Sequence, residues 1–252
     1  MTSTSEAVFA ASIMLISSRH LPVFLLSTAC IGLALPLVWT GTAILQGRAG
    51  VNPLELLIRE SGSWALRLLL LALAIAPARH AGMRLARSRA WHHGKRTADW
   101  NWLIRLRRPV GLAAFAYAAV HLGLYAALDL DFSLHELLID LRDKPFIATG
   151  MCSFILLAPL AVTSTDGWMK RLKRNWKRLH WLVFPAAILA EIHFFLLSKN
   201  GVTGWAVYGM VLATLLGHRI FRGRFPVLPG QDRIDGTVAE RPPQPAPSEI
   251  RN

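Results

Sequence analysis

Six apolar runs, most of a length to cross about 30 Å of hydrocarbon, constrain this chain more than any other feature. They cover residues 21–45, 63–78, 110–128, 145–162, 179–197 and 203–220. The first is relieved only by Ser27, Thr28, Cys30, Thr40 and Thr42. The second carries Arg67 near its start, and the third is interrupted by His121. The runs are continuous rather than alternating, which predicts helices and not the strands of a barrel. The expected fold class is therefore all-α: a polytopic membrane protein built as a six-helix bundle.

Composition becomes informative against that background. The chain has 252 residues, a net charge of +13 and an isoelectric point near 11.0, the profile of a nucleic-acid-binding protein. Yet 53% of its residues are hydrophobic and only 17% charged, whereas soluble domains hold roughly 25% charged residues. The mean hydropathy is +0.38. The charge is sorted by side: with both termini cytoplasmic, 22 of the 28 basic residues fall in inner segments and five in outer loops. That bias predicts an N-in, C-in topology. The stretch ARHAGMRLARSRAWHHGKR (78–96) has the make-up of a phosphate-binding patch. Between two spans it reads instead as an inner loop touching anionic lipid, with no nucleic-acid partner. The loop after the third run carries Asp129, Asp131, Glu136, Asp140 and Asp143, an acidic outer rim that is either solvated or a docking surface.

The organisation that follows is a cytoplasmic or interfacial segment 1–20, a transmembrane domain 21–220 and a tail 221–252. The tail is rich in Pro, Gly and charge and is expected to be disordered. Residues 7–17 are apolar but short, with no basic segment before them, so a cleaved signal peptide fits poorly. There is no internal repeat, and no CxxCH, GxGxxG or phosphate-loop motif appears. Cys30 and Cys152 are expected to be packing residues.

Ionisable groups within hydrocarbon are expensive and usually functional. Here they are His121, His193, Glu191 and Arg67, with His180 at the boundary. His121 lies 11 residues into the third run and His193 14 residues into the fifth, and both runs start from the inner side. At 1.5 Å per residue their depths are roughly 17 and 21 Å. Two imidazoles at matching depth suit the two axial positions of a six-coordinate haem, although each is also compatible with an inter-helix hydrogen bond.

His180 sits about 20 Å inward of His193 and would serve a second, inner haem. The third run offers Arg107 and Arg108 at that depth rather than a histidine, and an ideal helix puts the two rings about 140° apart. Pro185 lies between them as a possible kink. Glu191 falls within about 20° of His180 in phase. Arg67 can pair a haem propionate or snorkel to the interface. His80, His92, His93, His135 and His218 are expected to be solvated or interfacial.

The blocks WALRLLLLALAIAPAR (64–79), RLRRPVGLAAFAYAAVHLGLYAALDL (105–130) and DKPFIATGMCSFILLAPLAVTSTDGWMKRLKRNWKRLHWLVFPAAILAEIHFF (143–195) resemble the MsrQ (YedZ) family. These are the haem-binding membrane subunits of bacterial periplasmic methionine sulfoxide reductases. The resemblance spans roughly residues 20–220. It implies a ferric-reductase-like inner-membrane protein with b-type haem, and also FMN, for which no binding residue can be assigned. It implies electrons taken from the quinone pool or a cytosolic flavin reductase and passed to a periplasmic molybdopterin-containing catalytic subunit. The chain would then be an electron-transfer subunit rather than a catalyst on its own. By motif the family's haem histidines fall on His121, His180 and His193. The residues alone leave two rivals: an oxidase-like electron carrier with another acceptor, and a transporter or assembly factor handling protons or metal.

Overall fold

Backbone groups in hydrocarbon must find partners within their own segment, and every regular element among the described residues is helical, with no strand. The computed structural model describes residues 35–36, 38–48, 52–89, 100–197 and 202–224. Residues 38–45 form α1. There follow α2 (Pro53–Ser88), α3 (Asn101–Leu128), α4 (Leu134–Asp143), α5 (Pro145–Val162), α6 (Asp166–Leu172), α7 (Arg174–Leu179), a 3₁₀ turn (His180–Leu182), α8 (Val183–Leu197) and α9 (Val202–Arg224).

The start of α2 is written locally: the Asn52 side chain accepts from the Glu55 N–H at 3.3 Å, Pro53 holds the first helical position and Glu55 supplies an early negative charge. At 36 residues the helix is about 54 Å long, well beyond the apolar run 63–78. It continues through Pro77 into the basic stretch to Ser88, because Ala, Met, Leu and Arg are strong helix formers. The expected inner loop 79–109 is thus helical at both ends, with α3 beginning at Asn101. The outer loop after α3 likewise holds a helix. Ser133 and Glu136 form the Ser-x-x-Glu start of α4, the serine oxygen accepting from the Glu136 N–H at 3.3 Å.

Four helical stretches among the described residues have the length and apolarity to cross a membrane: Pro53–Ser88, Trp102–Leu128, Pro145–Val162 and Arg174–Leu197. The fourth expected run coincides with α5. The sixth corresponds to α9, which has the length at 23 residues but is diluted by Thr, Tyr, Gly and His and is not among those four. Residues 21–34 of the first run, segment 1–20 and the tail beyond Arg224 lie outside the described residues.

Two helix pairs organise the bundle, α2 with α3 and α5 with α8. Leu66, Leu69, Leu70 and Leu73 of α2 meet Val110, Ala114 and Tyr117 of α3, with Leu157 of α5 and Leu212 of α9 closing the core. Lipid tails are as apolar as leucine, so association depends on close packing and small residues at crossings. Ala186 and Ala187 of α8 are fully buried, and Ser153 of α5 donates to the Ala186 carbonyl at 2.9 Å. Ile155, Val162 and Met210 are exposed, as a lipid-facing surface requires. So is Cys152 on α5, which therefore does not pack; Cys30 lies outside the described residues.

Candidate functional site

The two helix pairs each deliver one imidazole to a common place. On α3, Nδ1 of His121 lies 2.9 Å from the Ile58 carbonyl oxygen of α2. On α8, Nδ1 of His193 lies 2.6 Å from the Phe146 carbonyl oxygen of α5. A carbonyl only accepts, so in both rings Nδ1 carries the proton and donates. The lone pair is left on Nε2. This is the state in which histidine binds metals, its second nitrogen held by a carbonyl or carboxylate that orients the ring and raises its basicity.

The ring centroids are 6.1 Å apart, with planes at 76°. A metal midway would lie about 3 Å from each centroid, which an imidazole–metal bond of about 2.0 Å plus the distance from ring nitrogen to ring centre accounts for. The donors present therefore fit a metal held between two neutral imidazoles, as in bis-histidine haem. Phe146, which supplies one carbonyl, also sets its ring 6.3 Å from that of His193. Depth counting along the sequence could match the two histidines, but Ile58 and Phe146 act through backbone oxygens and leave no side-chain signal.

The other expected residues lie elsewhere. His180 is in the 3₁₀ turn before α8, its Nδ1 3.1 Å from the Trp176 carbonyl and its ring 3.8 Å from that of Trp176. The break in helical phase between His180 and His193 falls at that turn. Pro185 stands in the first turn of α8, where a missing N–H costs nothing. Arg67 donates from Nε to Tyr208 of α9 at 2.9 Å, pairs loosely with Glu60 at 3.8 Å and lies over the Trp64 ring. Glu191 is buried, and neither carboxylate oxygen has a partner among the described residues.

His80 and His218, expected at the interface, line one cavity of about 170 Å³ with Arg107, Arg219 and Phe184. Arg107 is 14 residues before His121, so this cavity lies about 21 Å along α3 from the histidine pair. His92 and His93 lie outside the described residues.

One turn beyond His121 on α3, the Tyr125 hydroxyl donates to Asp140 of α4, and Lys144 closes on the same carboxylate at 2.7 and 2.9 Å. The Lys144 hydrogen bond, then that from Tyr125, holds the Asp140 carboxyl below its usual range. A lowered native value stabilises the fold fully above the ordinary carboxylate value of about 3.9. The contribution disappears as pH falls from there through the native value. Thermal unfolding in detergent is expected to show Asp140→Asn less stable than the parent at neutral pH, with the gap closing below about pH 4. A gap that is constant with pH would refute this role.

Residues 61–190 match the family described as ferric reductase like transmembrane component. The chain is also similar to curated proteins named protein-methionine-sulfoxide reductase heme-binding subunit MsrQ. That of Xanthomonas euvesicatoria pv. vesicatoria is 37% identical over 225 residues, which is 88% of this chain and 91% of the relative. That of Caulobacter vibrioides is 43% identical over 190 residues, 75% of this chain and 83% of the relative.

Proposed function

The chain belongs to the ferric-reductase-like transmembrane family and within it to the MsrQ heme-binding subunits, and from that premise we propose that it is an inner-membrane cytochrome b. It carries electrons outward, from quinol or a cytosolic flavin reductase, to a periplasmic molybdopterin-containing methionine sulfoxide reductase, and so supports repair of oxidised periplasmic proteins. The observation that carries this reading is the pair His121 and His193, at 6.1 Å, with both Nδ1 atoms engaged on backbone carbonyls. His121 and His193 would be the residues that hold the haem iron. When bound, b-type haem supplies reversible one-electron chemistry that no side chain here provides.

The protein's own work is to hold both imidazoles in the Nδ1–H tautomer, exclude water with the leucine-rich face of α2, and keep the two rings on opposed helix pairs. Arg67 is a cation that could turn to a cofactor carboxylate, its Nε held by Tyr208 and its ion pair with Glu60 long at 3.8 Å. His180 extends the reading to a second, inner haem. FMN rests on family membership alone, with no residue assigned to it. The basic bias of 22 against five residues supports six spans with both termini inside. The cavity lined by Arg107 and Arg219 then lies toward the cytoplasmic side of the membrane.

A reduced-minus-oxidised absorbance spectrum of the purified membrane protein tests the reading. A low-spin b-type spectrum is expected, with haem-to-protein stoichiometry giving one or two haems. A colourless protein without iron would overturn it.

A further inference from the structure

Glycine inside a helix costs about 1 kcal/mol relative to alanine, so a glycine in the middle of a span calls for a reason. Gly62 of α2 and Gly150 of α5 share one. A Cβ placed on Gly62 would lie 2.9 Å from both Nδ1 and Cε1 of His121. One placed on Gly150 would lie 2.7 Å from Nδ1 and 2.9 Å from Cε1 of His193. Gly111 and Gly123 of α3 and Gly217 of α9 have open space at the same position.

The two sites also repeat a spacing. Ile58, whose carbonyl accepts the His121 hydrogen bond, stands four residues before Gly62; Phe146, which serves His193, stands four before Gly150. Four residues is one helical turn on the same face. Each supporting helix thus presents a carbonyl and, one turn on, a bare backbone against which the imidazole lies flat enough to reach it.

We propose that Gly62 and Gly150 are positioning residues for the two axial ligands, each letting one imidazole lie against its supporting helix. The proposal rests on the reading of His121 and His193 as haem ligands. A methyl group needs about 3.5 Å from ring atoms, so alanine would push either ring by roughly 0.6–0.8 Å. That displacement is enough to stretch the Nδ1 hydrogen bond beyond its usual range of about 2.7–3.2 Å and to shift Nε2 by a similar amount. Full loss of such an outer partner typically weakens metal affinity by about 10–100-fold, so a stretched one should act toward the lower end of that range.

The test compares full-length Gly62→Ala and Gly150→Ala, purified in detergent, with Gly111→Ala and Gly123→Ala. The readouts are haem stoichiometry and the electron paramagnetic resonance signal of the ferric protein. Both positioning variants are expected to lose haem about tenfold more readily, or to show a shifted low-spin or new high-spin signal. The two α3 variants should match the parent. Parental occupancy and signal in Gly62→Ala and Gly150→Ala overturn the proposal.

A folding defect is separated by a double-mutant cycle on thermal stability. Gly62→Ala should destabilise the apoprotein when His121 is present and not in the His121→Ala background. Equal destabilisation in both backgrounds overturns the proposal, because the glycine would then serve helix packing alone. Absence of haem from the parent protein, by contrast, would overturn the haem assignment, and the cycle would still decide whether the glycines accommodate the rings.

Discussion

His121→Ala and His193→Ala are each expected to abolish the Soret band of the purified protein. Each substitution removes the imidazole its helix pair brings to the site, while the opposing imidazole remains 6.1 Å from where the lost ring stood. The loss should exceed the about 10–100-fold typical of removing an outer-shell partner, since a bond to the metal itself is lost. The backbone should survive both changes, because the core of α2 and α3 is built from Leu66, Leu69, Val110 and Ala114 and not from the imidazoles. His180→Ala should keep the spectrum of the haem held by the other two histidines. A parental low-spin spectrum in both His121→Ala and His193→Ala would remove the ligand assignment.

The second large effect concerns orientation. Alkaline phosphatase, active only outside the inner membrane, should be active when fused at Arg142, in the last turn of α4, and inactive when fused at Lys173 or in the tail beyond Arg224. The reason is the crowding of lysine and arginine on one side of the spans, notably Arg105, Arg107 and Arg108 at the start of α3 and Lys170 to Arg178 around α6 and α7. Positive charge near span ends is retained in the cytoplasm. The structure adds a bond within this basic layer: Arg108 reaches Asp166 at 2.6 Å and holds that carboxyl below its usual range. Active fusions at Lys173 would invert the topology. An active fusion at residue 5 would leave the first run short of a full span.

Much of this was legible in advance, for identifiable reasons. Apolar run length is a local property, and α5 begins and ends where its run does, with Pro145 at the first helical position. The start of α4 was also readable, since Ser133 and Glu136 stand at the Ser-x-x-Glu spacing of a helix start, but the acidic residues around it favour reading a loop. The extension of α2 to Ser88 was hidden by charge, which ends a span without ending a helix.

At the site, depth along an axis follows from counting residues, and so His121 and His193 could be matched. Their azimuth could not. Which way each ring turns is set by how α2 lies on α3 and α5 on α8. Those contacts rest on small residues such as Ala114, Ala186 and Ala187, whose role no hydropathy pattern reveals.

The sequence by itself determined the solvent, the helical class and the matched depth of two histidines, because apolar length, charge bias and residue type are one-dimensional quantities. Only the tertiary structure decided what holds those histidines. Backbone carbonyls at Ile58 and Phe146 and the missing side chains of Gly62 and Gly150 carry no chemical label of their own, and they acquire a role only when two helices pack together.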